Sequence, residues 1–245
     1  MSETTNHPKT RSFWVIGVGI VLLVLPFVLE KGFSTYYLYL LIKAMVWALF
    51  AVSFNLVLGY GGMMSFGHAA FFGIGAYACS LLLVKASCPL LVAIVAGPLV
   101  AALAGAVIGF FSVRIKGLFY FAVITLSFAQ LVYILVFKWR TLTFGDDGIQ
   151  GVFPPDFLKS PTAYYYLIFI VFLVSSWIVW KIIHSPFGHT IMAMRENSER
   201  TDFLGINIAL AKLMLFSVAG MMAGVSGSLF ILFKKMASPN FLDLF

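Results

Sequence analysis

The feature that most limits what this chain can fold into is where its acids do not occur. All nine Asp and Glu residues fall outside a series of about seven apolar segments, each roughly 16 to 25 residues long. An α-helix rises about 1.5 Å per residue, so some twenty apolar residues cross the ~30 Å hydrocarbon core of a bilayer. Lipid offers no partner to an open N–H or C=O, and a helix satisfies these groups within one segment. Hydrophobic residues make up 62% of the chain and charged residues 10%, against about 45–50% and 25% in soluble proteins. With a mean hydropathy of +1.02, the expected fold is all-α: a polytopic integral membrane helical bundle.

In chain order, residues 1–12 are polar and read as a disordered cytoplasmic terminus. Phe13–Leu29 lacks a small-residue cleavage pattern and reads as a retained first span rather than a signal peptide. Tyr36–Leu58 is the second, opened by interface-type tyrosines, with Lys43 able to snorkel. Ala69–Val84, Leu90–Val113, Gly117–Phe137, Tyr164–Ile183 and Ala209–Phe233 follow, and Lys138–Ala163 is a long loop. Residues 13–245 thus form one membrane domain. With the N-terminus inside, one side carries Lys9, Arg11, Arg114, Lys116, Lys181, Arg195, Arg200 and Lys212. The other carries Lys31, Lys85, Lys138, Arg140, Lys159, Lys234 and Lys235. Eight against seven barely favours this orientation under the positive-inside rule.

Helix association is signalled by small residues. Gly97, Ala101, Gly105 and Gly109 recur along one face, and Gly220 and Gly224 form a GxxxG beside Ala219, Ala223 and Gly227. Lipid supplies little hydrophobic drive between helices, so such positions mark close backbone packing.

Three groups of residues could carry function. The first is the polar stretch 184–207, which holds Arg195, Glu196, Glu199, Arg200 and Asp202 between two apolar segments. Ser185 can cap a helix with Pro186 at its first position, and Gly205 suits a left-handed helix end. A charged, punctuated helical hairpin of this kind is either a solvated loop or a contact for something outside the membrane. The second group surrounds Gly59–Gly75, six of whose residues are glycine, which favours a broken or re-entrant helix. Broken helices near the bilayer midplane commonly build substrate sites. Asn55, Ser65, His68, Thr125, Ser127 and Gln130 are the polar side chains nearest it; each is either pathway lining or a structural hydrogen bond between helices. The third group is the acidic pair Asp146 and Asp147 in the long loop.

Several classes lose support. There is no GxxxxGK[ST], so the chain is not expected to hydrolyse ATP itself, and no HExxH or GxSxG motif. No acid lies at membrane depth, where proton-coupled carriers keep their relays. Cys79 and Cys88 share no ligand spacing with the four histidines, so no metal site is expected. The net charge of +7 sits at span ends, where it meets lipid headgroups rather than nucleic acid.

Four blocks resemble the LivM-type permease subunits of ABC importers for branched-chain amino acids and related solutes. They are Gly62–Tyr77, Arg114–Gln130, Thr143–Ile149, and the polar stretch from Ser185-Pro186-Phe187-Gly188 through Arg195-Glu196-Asn197 to Leu204–Asn207, with Lys212-Leu213 behind it. The resemblance implies a plasma-membrane subunit (inner membrane in a Gram-negative cell) that pairs with a second, LivH-like permease. Two cytoplasmic ABC ATPases, which bind the ATP and Mg, and an extracytoplasmic solute-binding protein would complete the assembly; no cofactor is expected in this chain. It implies that 184–207 is the coupling hairpin, with Ser185, Pro186, Gly188, Arg195, Glu196, Asn197, Glu199, Arg200 and Gly205 serving the ATPase contact. Asp146 and Asp147 would face the binding protein or form a solvated turn. Two positions depart from the pattern: His189 stands where a basic residue is usual, and Phe144-Gly145 where two glycines are usual. Family members continue past the position of Phe245 with a glycine-rich segment and at least one more span, so part of the family fold is expected to be missing here, or the chain to be a short member. The solute stays open among branched-chain amino acids, urea, amides and aromatic acids, and a stand-alone channel or secondary carrier is the alternative class.

Overall fold

The computed structural model describes residues 35–114, 117–153, 155, 158 and 160–242, together with residues 19, 22, 23, 25 and 26. The expected polar terminus and most of the expected first span, Phe13–Leu29, lie outside the described residues. The remaining apolar segments form helices: α1 (Thr35–Asn55), α2 (His68–Val84), α3 (Leu90–Ser112), α4 (Leu118–Lys138) and α6 (Pro161–Ile183), with α9 (Ile208–Lys234) closing the series. A four-residue helix, α5 (Arg140–Thr143), follows α4, while α7 (Pro186–Glu196) and α8 (Ser198–Phe203) fill the polar stretch between α6 and α9.

Five of these helices are long and apolar enough to cross a membrane, and the chain is a multi-pass membrane protein. α2, at 17 residues, reaches only about 25 Å at 1.5 Å per residue. α1 runs into a single π-turn, Leu56–Tyr60, before the backbone leaves helical geometry. The break expected among the glycines is therefore confined to residues 61–67, and Gly73 and Gly75 sit inside α2.

α9 is the central helix, packed most extensively against α3, then α2, with α1 and α6 outside them. The small-residue faces explain the order. Gly97, Ala101, Gly105 and Gly109 are all buried, and a Cβ on Gly224 would lie 2.5 Å from that of Ala101. Backbones meet there with only the Ala101 methyl between them. On the outward face of α3, Leu91, Val95, Leu99 and Leu103 recur every four residues and are exposed, as suits contact with lipid.

The helices alternate in direction and give the bundle two distinct ends. One end gathers the π-turn, the α3–α4 junction and the polar stretch, since Gly61, Val113, Gly117, Met194 and Lys212 share a single cleft. At the other end the Lys85 Nζ donates to the Thr141 carbonyl at 2.6 Å. There the long loop departs from the all-α expectation in one detail. Its β1 (Ile149–Gln150) pairs antiparallel with β2 (Met236–Ala237), just beyond α9. The ribbon forms because Lys235 takes a left-handed conformation (φ 59°) that ends α9 and turns the chain back.

Candidate functional site

The polar stretch folds as two short helices whose ends are set by side chains. Ser185 Oγ accepts from Gly188 N at 3.3 Å and donates to the Ile182 carbonyl at 2.6 Å, with Pro186 first in α7. Gly188 is required by proximity, because a Cβ would overlap the Ile182 and Ile183 carbonyls at the end of α6. Ile191 and Met194 are buried on one face of α7 and join the core cluster that includes Leu215 and Phe216 of α9. Asn197 breaks the helix with an extended backbone, and its Oδ1 accepts from Arg200 N at 2.9 Å to start α8. Gly205 is left-handed at φ 81°, as its position suggested. Asn207 Oδ1 then accepts from Leu210 N at 3.0 Å and opens α9. Three side-chain caps in succession hold the connection between two spans in one shape.

The outer face of this hairpin is charged. Glu196, Glu199, Arg200 and Asp202 are exposed, and among the described residues no ion pair joins them. Glu199 lies in the first turn of α8, where a carboxylate suits the helix dipole. Glu199 and Asp202 also line a groove of about 750 Å³ together with Arg114 and Lys212. Arg195 behaves differently: its guanidinium donates to the Gly59 carbonyl in the π-turn. A smaller cleft of about 210 Å³ beside it is bordered by Gly61, Gly62, Met63 and Lys212.

The glycine-rich break leads from that cleft to a buried polar node. Gly61 N bonds to the Leu56 carbonyl and Met63 N to the Val57 carbonyl, each at 3.0 Å. Gly62 is left-handed at φ 63°. Gly67 lies against α4 so closely that a Cβ would overlap the Thr125 carbonyl. His68 follows at the start of α2, its Nε2 2.6 Å from Ser53 Oγ. Ser53 in turn donates to the Ala219 carbonyl at 2.8 Å. A hydroxyl has one proton; with Ser53's committed to Ala219, Nε2 of His68 is the donor and Nδ1 the bare acceptor. Among the described residues, Nδ1 of His68 and Oγ of Ser65 are buried and find no hydrogen-bond partner. Phe50, Phe54 and Phe71 surround the ring, with centroids 5.5 to 5.7 Å away.

The six polar residues expected near the break are not brought together. Ser65, His68 and Thr125 are buried, whereas Asn55, Ser127 and Gln130 are exposed on the outsides of α1 and α4. Thr125 and Ser127 bond back to the Ala122 and Val123 carbonyls of their own helix. None of the six lines either cleft at the hairpin. Asp146 and Asp147 are exposed in a 3-10 turn at the opposite end of the bundle. Sequence reasoning missed Ser53, the link between His68 and α9; a serine inside an apolar run was the available signal. Among the described residues no group of His, Cys, Asp and Glu could hold a metal ion.

A family model described as "Branched-chain amino acid transport system / permease component" matches residues 36–245. Two curated relatives are the high-affinity branched-chain amino acid transport system permease proteins LivM of Salmonella typhimurium (strain LT2) and Escherichia coli (strain K12). Each is 24% identical to this chain over 94% of its length. The chain spans 59% of the length of these relatives. No solved structure matches.

Proposed function

The chain belongs to the family of branched-chain amino acid transport system permease components, and from that membership we propose that it is a permease subunit of an ATP-driven importer. The solute is a small polar molecule, and a branched-chain amino acid is the choice favoured by the names of its relatives. ATP and Mg bind to partner ATPases, and this chain supplies half of the pathway beside a second permease in a bacterial plasma membrane. Residues 184–207 are cytoplasmic and dock on an ATPase. The N-terminus lies on the same side, and Asp146 and Asp147 face an extracytoplasmic solute-binding protein.

The observation that carries this reading is the hairpin. Three caps hold it in shape, an apolar face roots it in the core, and its outer face displays Glu196, Glu199 and Arg200 with no ion pair among the described residues. Unpaired charges on a rigid element suit a complementary partner, because the partner then meets little ordering cost. ATPase closure against such an element can shift whole helices, since packed interfaces have discrete arrangements.

The test is co-expression with candidate ABC ATPase, second-permease and binding-protein subunits, followed by uptake in proteoliposomes. Glu199→Lys with Arg200→Glu should abolish both ATPase co-purification and uptake. Uptake by this chain alone, without ATP, would instead identify a channel or secondary carrier. Calorimetry of the binding protein against leucine, urea, short amides and aromatic acids names the solute.

A further inference from the structure

Arg195 lies among the charges of the hairpin, yet its guanidinium is turned away from them and into the glycine-rich break. We propose that Arg195 is a positioning residue that ties the hairpin to the end of α1, so that a displacement of the hairpin is delivered to the break and to the node at His68. The proposal deepens the coupling reading of the hairpin and rests on it.

The physical basis is the end of a helix. The last carbonyls of any helix lack intrahelical partners and carry the negative end of its dipole. At the end of the π-turn, the Leu56 carbonyl is taken by Gly61 N and the Val57 carbonyl by Met63 N, both at 3.0 Å. The Gly59 carbonyl is taken by Arg195, a cation supplied from another element. Basic side chains commonly fill this role at the C-terminus of their own helix; here one fills it across a fold boundary. Lys212, partly buried, borders the same cleft and adds a second positive charge at that helix end.

The glycines make room for the contact. A Cβ on Gly62 would lie 2.8 Å from Cγ of Arg195, so the stem of the arginine runs directly over this residue. Gly62 also holds φ 63°, which a larger residue would adopt only with strain. Met63 and Met194, the chain neighbours of Gly62 and Arg195, are both buried and border the same cleft. The contact therefore continues into the core and is not a lone surface bond.

The route onward is short. The hairpin is joined to α6 and α9 through the Ser185 and Asn207 caps. A rigid shift of α7 must either carry Gly59 with it or break the Arg195 bond. Six residues beyond Gly62, His68 reaches through Ser53 to the Ala219 carbonyl and connects α1, α2 and α9. The test separates a pin between α7 and α1 from a plain ATPase contact.

The experiment uses the assembled transporter in nanodiscs and compares the wild type with Arg195→Gln and Arg195→Lys. Amide hydrogen exchange reads the break directly, because Gly61 N and Met63 N close the helix end. In Arg195→Gln, exchange across residues 56–68 should accelerate about tenfold, the loss expected for a bond to a charged donor. Exchange across 198–210 should be unchanged and ATPase co-purification retained. Uptake per ATP hydrolysed should fall about tenfold, with partial recovery in Arg195→Lys, which keeps the charge but not the planar fork. Unchanged exchange across 56–68 overturns the proposal whatever happens to uptake; if ATPase recovery then falls as well, Arg195 is an ATPase contact. Failure of the wild-type complex to bind ATPase would overturn the coupling reading, while the exchange comparison on the permease would still decide whether Arg195 holds Gly59.

Discussion

Gly224→Ala is the substitution whose consequence follows most directly from the packing of this bundle. A methyl group at Gly224 of α9 would lie 2.5 Å from Cβ of Ala101, 3.0 Å from Cα of Pro98 and 3.5 Å from the Gly97 carbonyl, all on α3. Gly75 of α2 reaches the same point from the other side, where its own Cβ would lie 2.5 Å from Cα of Gly224. Three helix backbones thus meet with no flexible side chain to move aside. Carbon atoms rest about 3.5–4.0 Å apart, so α9 and α3 must separate by roughly 1 Å. Overpacking of this kind costs about 1–3 kcal/mol. The same movement strains the Ser228 Oγ donation to the Gly75 carbonyl, now 3.2 Å, and an interhelical bond in a membrane contributes about 0.6 kcal/mol. Alanine returns up to about 1 kcal/mol in helix propensity. The net expectation is a loss of roughly 1–3 kcal/mol.

Gly109→Ala supplies the control, Gly109 belonging to the small-residue ridge of α3 that faces α9. A Cβ there would meet side-chain atoms, Cδ1 of Leu213 and Cδ1 of Phe216 each at 3.2 Å and Cβ of Phe216 at 3.6 Å. Leu213 is only partly buried and can give by a few tenths of an ångström, whereas Phe216 is held in the core, so the propensity gain offsets part of the crowding and this variant should lose clearly less stability than Gly224→Ala. The assay is reversible unfolding in mixed micelles over an SDS gradient, read by tryptophan fluorescence. Equal midpoints for the two variants would refute the claim that backbone contact at Gly224, and not small size along the whole ridge, holds α9 to α3.

Three further outcomes are expected. Ser53→Ala removes both the link to His68 and that to the Ala219 carbonyl, and should destabilise the bundle by about 1–2 kcal/mol in the same unfolding assay. Asn197→Ala removes the cap of α8 at a cost of about 1 kcal/mol; hydrogen exchange should rise in 198–203 only, and Asn197→Asp should restore protection. Glu199→Lys with Arg200→Glu should abolish ATPase co-purification while leaving the SDS unfolding midpoint within about 0.5 kcal/mol, because both side chains are exposed.

The helices from Thr35 to Lys234 were legible because a bilayer leaves an apolar run little choice but helix. The hairpin ends were legible for a local reason: Ser185-Pro186 and Gly205 act within a few residues of themselves. What could not be read depends on partners distant in sequence. Polar residues at membrane depth were visible, but not that His68 would choose Ser53 while Ser127 and Gln130 turned outward. The helix face decides that, and small shifts of register rotate it. The β1–β2 pairing joins the long loop to the end of α9 and has no local signature in so short a strand. Arg195 was visible as a charge among charges; its direction was set by an open carbonyl in an element far away in sequence.

The ridge on α3 also grades the bundle along its length. Where Gly97 and Gly224 lie, added atoms would meet the short Ser228 Oγ and Ala101 Cβ and, within 3.0 Å, the Gly75 carbonyl and Pro98 Cα; at Gly105 they would meet the Phe216 carbonyl and Ser217 Cα at 3.1 and 3.2 Å, and at Gly109 side-chain atoms of Leu213 and Phe216. The tight section faces the middle of the chain's longest spans. The looser section faces the hairpin, where both charged clefts lie and where α1 gives up helical geometry. Backbone-to-backbone packing resists displacement because nothing in it can rotate out of the way, whereas side-chain tips and cleft walls can rearrange. A force applied at the hairpin would therefore be absorbed first among residues 56–68 and the start of α9, with the Gly75–Gly97–Gly224 contact as the fixed point. Arg195 joins the hairpin to residues 56–68 through the Gly59 carbonyl and is thus situated to make these two parts move together.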